Sequence, residues 1–142
     1  MTDPVRRGTP TIAAMLKPGL SASVKTVVTT SDTAAALGSG HVNALATPRL
    51  IALCEEATVA AVTSHLQPSQ TTVGTRVEIA HLAASAVGTE VIVMAVLDSV
   101  DRNRLHFSVE ASDGARKLAV GSVDRTIVDL QRFEDNLERA HQ

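Results

Sequence analysis

The sequence is almost without aromatic residues: it has two phenylalanines, Phe107 and Phe133, and no tyrosine or tryptophan. With apolar residues at 44%, any core must be built from Ala, Val, Leu and Ile, whose thin side chains let elements approach closely. There is one cysteine, Cys54, which excludes an intrachain disulfide and a cysteine-rich zinc site. No block of Lys and Arg exceeds two consecutive residues and the formal net charge is −2. The chain therefore lacks the electrostatic footprint of a nucleic-acid binder. No apolar run reaches the length of a membrane span. Arg6 and Arg7 are not followed by the apolar segment of a signal peptide. A glycine-rich phosphate motif and internal repeats are missing too. The expectation is one soluble, cytoplasmic domain.

The stretch from Thr47 to His81 organises what is present. Thr47-Pro48 opens a helix expected to run to Leu66 and to stop before Pro68, with Thr47 as N-cap and Pro48 at the first helical position. The helix is apolar almost all round, so the rest of the domain is expected to wrap it. Only Arg49, Glu55 and Glu56 carry charge within it. Cys54, in mid-helix, reads as a small core residue. A strand from Thr72 to Ala83 follows, alternating through Val73, Thr75, Val77 and Ile79 and carrying His81.

Around this stretch, residues 1–20 hold three prolines and two glycines and read as an irregular arm, with one helical turn at Thr11 to Leu16. Ser21 to Thr30, rich in Val and Thr, reads as a strand. Ser31 to Asn43 is small-sided and long for a connector, the look of an entrance segment, with a helical turn at Asp32 to Leu37. Glu90–Val100, Arg104–Ala111 and Arg116–Val128 read as strands separated by Asp101-Arg102-Asn103 and Asp113-Gly114 turns. Residues 130–142 read as a short charged helix. Strands in succession with short turns pair antiparallel, and one long apolar helix must lie across their sheet. This is the hotdog architecture, an α+β domain over residues 21–135 between the arm and a 136–142 tail. Its open sheet edges favour pairing into a homodimer or a higher oligomer.

Taken singly, Thr47, Glu55, Gly74 and His81 have structural explanations: a cap, a carboxylate turned to solvent, a bulge and a satisfied histidine. Together they have more. The run Ala46-Thr47-x7-Glu55, then Gly74-Thr75-x5-His81, then Gly121-Ser122-x-x-Arg125 resembles the fluoroacetyl-CoA thioesterase branch of the hotdog thioesterases. The resemblance covers about residues 20–135. It implies Thr47, Glu55 and His81 as the catalytic group, with Gly74 and Arg125 holding the thioester and its carrier. It implies no cofactor beyond the coenzyme A of the substrate.

The residue chemistry fits acyl transfer to water. Gly74 offers a backbone N–H with no Cβ in the way of a developing oxyanion. Glu55, on an apolar helix, would have the raised basicity of a base or nucleophile. His81 moves protons, and Thr47 orients water or the carboxylate. Ser31–Asn43 holds no aromatic residue, which argues for an open entrance and against restriction to a fluorinated acyl group.

The other histidines, His41, His65, His106 and His141, show no metal-ligand spacing. Arg102, Arg104, Arg116 and Lys117 flank turns, where solvation explains them or the phosphates of coenzyme A employ them. Hydrolysis of a small acyl-CoA competes with two other readings. A non-catalytic acyl-ligand binder needs no carboxylate on such a helix. A hydratase wants a helix-borne Asp where this helix has Glu. Finally, eight residues of helix rise about 12 Å, so Thr47 and Glu55 of one chain do not touch. The expectation is a site at a dimer interface, with Thr47 facing Glu55 or His81 of a second copy.

Overall fold

The computed structural model describes residues 16–141. The turn expected at Thr11 to Leu16 lies outside them except for Leu16, which is buried in the core. The elements are β1 (Ser21–Val27), α1 (Ala34–Leu37), α2 (Thr47–Val62), β2 (Gln70–His81), β3 (Glu90–Asp101), β4 (Arg104–Ser112), β5 (Lys117–Asp129) and α3 (Leu130–Ala140). Short 3-10 turns at Thr30–Asp32 and Thr63–His65 precede α1 and follow α2.

The strands form one antiparallel sheet in the order β1-β3-β4-β5-β2. Alternation decides its inner face. Val91, Val93, Ala95 and Leu97 of β3 and Leu105, Phe107, Val109 and Ala111 of β4 are all buried. Helix α2 lies across this face, packed mainly on β1 and β3. The result is the expected curled sheet around one long helix, the hotdog fold.

Two expectations need correction. Strand β2 does not pair with β3, its successor, but crosses to the far edge and pairs with β5. The connection over residues 82–89 has the turn expected at Val87-Gly88-Thr89, where Thr89 N–H donates to Ala86 O at 3.1 Å, but places residues 82–86 between it and the end of β2. Leu45 N–H donates to Ser85 O at 2.9 Å, Ala44 bridges Ala86, and Gly88 takes a φ of +94°.

The helix, for its part, is not wrapped on all sides. Leu50, Leu53, Cys54, Ala57, Thr58, Ala61 and Val62 are buried, a stripe at helical spacing. The opposite residues Ala52, Glu56, Val59 and Ala60 are exposed. Among the described residues, nothing covers this face or the outer edge of the twelve-residue β2.

Candidate active site

Helix α2 and strand β2 supply the candidate residues, and the structure sorts them into two groups. At the start of α2 the N-cap is Ala46 rather than Thr47; Thr47 and Pro48 occupy the first helical turn. Freed from capping, the Thr47 hydroxyl lies 2.8 Å from His81 Nδ1 at the end of β2. His81 Nε2 is buried and has no hydrogen-bond partner among the described residues. Thr47, His81, Leu82, Ala83 and Ala84 line an open depression of about 270 Å³. This contact is made within one chain, so of the two residues expected to face Thr47 from a second copy, Glu55 or His81, the histidine is already met in its own chain.

Two turns along α2, Glu55 belongs to the second group. Its Oε2 accepts from Arg125 Nη1 at 3.1 Å. Arg125 is 7% exposed on the inner face of β5. Its Nε donates to Thr72 Oγ1 at 2.8 Å and its Nη2 to Thr72 O at 3.0 Å. Burial lowers the pKa of this guanidinium, and the Glu55 carboxylate opposes the shift. Glu55 is thus not an isolated acid among apolar groups: its side chain is 37% exposed and ion-paired. Neighbouring Cys54 is pushed up to about 11, by burial first and then by Glu55, so its thiol is no nucleophile near neutral pH.

Gly74 completes this second group. It pairs with Arg125 across the β2–β5 ladder, beside a bulge at Thr75. A Cβ on Gly74 would stand 2.5 Å from Glu55 Oε2 and 3.3 Å from Arg125 Nη1. The missing side chain makes the space that the carboxylate occupies. Gly121 has another reason: a Cβ there would stand 2.0 Å from Glu78 O, so it allows β2 and β5 to pair closely.

The five residues singled out from sequence therefore fall into Thr47 with His81, and Glu55 with Arg125 and Gly74. Gly74 and His81 are seven residues apart on β2, about 23 Å of strand. Sequence reasoning missed Thr72, which takes two of the three side-chain bonds of Arg125. The parity of β2 carried the signal, since Thr72 and Gly74 share a face. Among the described residues no cluster suited to a metal ion occurs. His106 is engaged elsewhere, 2.5 Å from Asp124.

Residues 28–131 match the family model described as fluoroacetyl-CoA-specific thioesterase. The fluoroacetyl-CoA thioesterase of Streptantibioticus cattleyicolor is 35% identical over 88 residues, which are 62% of this chain and 63% of that protein. The aligned stretch thus spans somewhat less than two thirds of that relative. A solved structure of a fluoroacetyl-CoA thioesterase, a threonine-to-alanine mutant in complex with fluoroacetate, superposes with a TM-score of 0.83. It is 27% identical over 88% of this chain and 98% of that one. A thioesterase superfamily member from Thermus thermophilus gives 0.81 at 27% identity, over 88% and 93% of the two chains.

Proposed function

This chain belongs to the fluoroacetyl-CoA-specific thioesterase family, and from that premise we propose that it hydrolyses small acyl-CoA thioesters to the free acid and coenzyme A. The observation that carries the reading is the pairing of Glu55 with Arg125 at 3.1 Å while Thr47 and His81 pair at 2.8 Å. A carboxylate aimed by a buried arginine and a hydroxyl–imidazole pair are the parts that thioester hydrolysis uses.

In the reaction water supplies hydroxyl to the acyl carbon, the carbon–sulfur bond breaks, and the sulfur leaves with the remaining proton. Glu55 delivers the oxygen, by direct attack or through water, and Arg125 holds the carboxylate in position. Gly74 leaves room for the Glu55 carboxylate, and its N–H is the oxyanion donor. His81, oriented by Thr47, carries the proton toward the leaving group.

The active unit is a homodimer. The two groups lie too far apart in one chain to share a carbonyl, whereas an antiparallel pairing of two β2 edges brings them together. Centred between Val77 and Glu78, that pairing sets Gly74 of one copy opposite His81 of the other. The exposed Ala52, Val59 and Ala60 of α2 supply the apolar area that association buries. Each dimer then has two composite sites.

The test is release of free thiol from a panel of acyl-CoAs, read with a chromogenic disulfide. Turnover of short acyl-CoAs is expected, without preference for a fluorinated one. Tight binding with no thiol released from any member would make the chain a binder and overturn the reading.

A further inference from the structure

We propose that Thr72 is a positioning residue of the active site: it locks one edge of the Arg125 guanidinium, so that the remaining arm holds the Glu55 carboxylate in one place. This rests on the acyl-CoA reading above and adds the residue through which the acid is aimed.

The inference starts from the donors of Arg125. A guanidinium is planar, and its N–H groups leave it in fixed directions. Nε donates to the Thr72 hydroxyl at 2.8 Å and Nη2 to the Thr72 carbonyl at 3.0 Å. With that edge held, the plane cannot turn about its Cδ–Nε bond, and Nη1 is left directed at Glu55 Oε2, 3.1 Å away. Among the described residues, the side chain of Arg125 has no partners besides Thr72 and Glu55, and the Glu55 carboxylate has none besides Arg125. The contacts run from Thr72 to Arg125 to Glu55 without a branch.

Burial gives the lock its force. Arg125 and Thr72 are both buried, so water does not readily replace a lost acceptor, and a charged N–H left without one is costly. Glu55 is only partly covered and has rotamers to leave by. Its orientation is therefore as definite as that of the arginine facing it.

Strand register fixes Thr72 in turn. Thr72 pairs with Ile127 and Gly74 with Arg125, which makes Thr72 the diagonal neighbour of the arginine on the inner face, within reach of a long side chain. The register that opens space for the carboxylate at Gly74 thus also sets the acceptor at Thr72. A β-branched side chain has few χ1 choices, so the hydroxyl stays where Nε needs it. Valine would fill the same volume at this inner-face position but offers no acceptor.

The experiment compares Thr72→Val, Thr72→Ser, and Thr72→Val combined with Arg125→Met. On the best acyl-CoA, Thr72→Val is expected to lower kcat about tenfold or more with KM within about twofold of wild type. Thr72→Ser keeps the acceptor and should stay within about threefold of wild-type kcat. Against Arg125→Met alone, the added Thr72→Val should change kcat by less than about twofold, because no guanidinium is left to aim. Wild-type kcat in Thr72→Val, a serine variant as slow as the valine one, or the same fall with and without Arg125 overturns the proposal.

Hydrogen exchange of the Arg125 Nε–H, followed by nitrogen-15 NMR and assigned by its loss in Arg125→Met, tests the lock even if no thioester is turned over, so the two readings fail separately. Exchange should be slow in the wild type and in Thr72→Ser and at least about tenfold faster in Thr72→Val. A wild-type Arg125 Nε–H that exchanges as fast as that of the exposed Arg102 overturns the lock without any variant at Thr72.

Discussion

Two glycines on neighbouring strands show how the same substitution separates chemistry from stability. An alanine methyl at Gly74 meets Glu55 Oε2, the end of a flexible side chain, which can swing away at small cost. Gly74→Ala should keep the unfolding free energy within about 1 kcal/mol of wild type. Its turnover should fall by about a hundredfold, because a displacement near 1 Å in a positioned group costs that much. At Gly121 the methyl meets the Glu78 backbone at 2.0 Å, where nothing can rotate aside. Gly121→Ala should destabilise by about 3 kcal/mol. Denaturant unfolding together with thiol-release kinetics checks both; Gly74→Ala with full turnover would remove Glu55 from the place proposed for it.

At the scale of the elements, the segment before α2 is fastened to the helix that carries Thr47. Arg49 Nε donates to Asp32 Oδ1 at 3.0 Å, and Ala46 N–H donates to Asp32 O at 2.9 Å. The Asp32 carboxyl is held below its ordinary value of 3.8, first by the Thr29 backbone N–H and also by the Thr29 hydroxyl and Arg49. A carboxyl depressed in the folded state stabilises the fold above its unfolded pKa, and that contribution disappears as the pH falls through the folded one. The stability difference between wild type and Asp32→Asn should therefore be constant above about pH 5 and shrink below about pH 4. A difference that persists unchanged in acid would show that the anchor does not depend on the charge.

The helix, the strands and their inner faces were legible because periodicity reports burial directly, as Val91, Val93, Ala95 and Leu97 illustrate. The passage of β2 to the far edge was not, since pairing partners are chosen by three-dimensional packing and leave no mark in local pattern. In the site, the motif spacings named the residues. The Thr47–His81 contact and the grip of Thr72 on Arg125 were hidden, because each joins residues 34 or 53 positions apart.

For the whole molecule, the two-group arrangement along β2 makes a prediction about mixtures. Thr47→Ala disables one group and Glu55→Gln the other, each with a loss of about a hundredfold or more. Dimers formed from one chain of each kind should regain activity, since one of their two composite sites is intact. Mixed dimers that form and stay inactive would mean that each chain carries its own site. The aromatic poverty of the core has a further, optical consequence. Phe107 is sealed inside and Phe133 sits on α3, and with no tyrosine or tryptophan the protein is nearly dark at 280 nm and has no indole emission of its own. A single tryptophan placed at Leu82, 55% exposed beside the Thr47–His81 depression, would shine against an empty background and report ligand arrival at that depression alone.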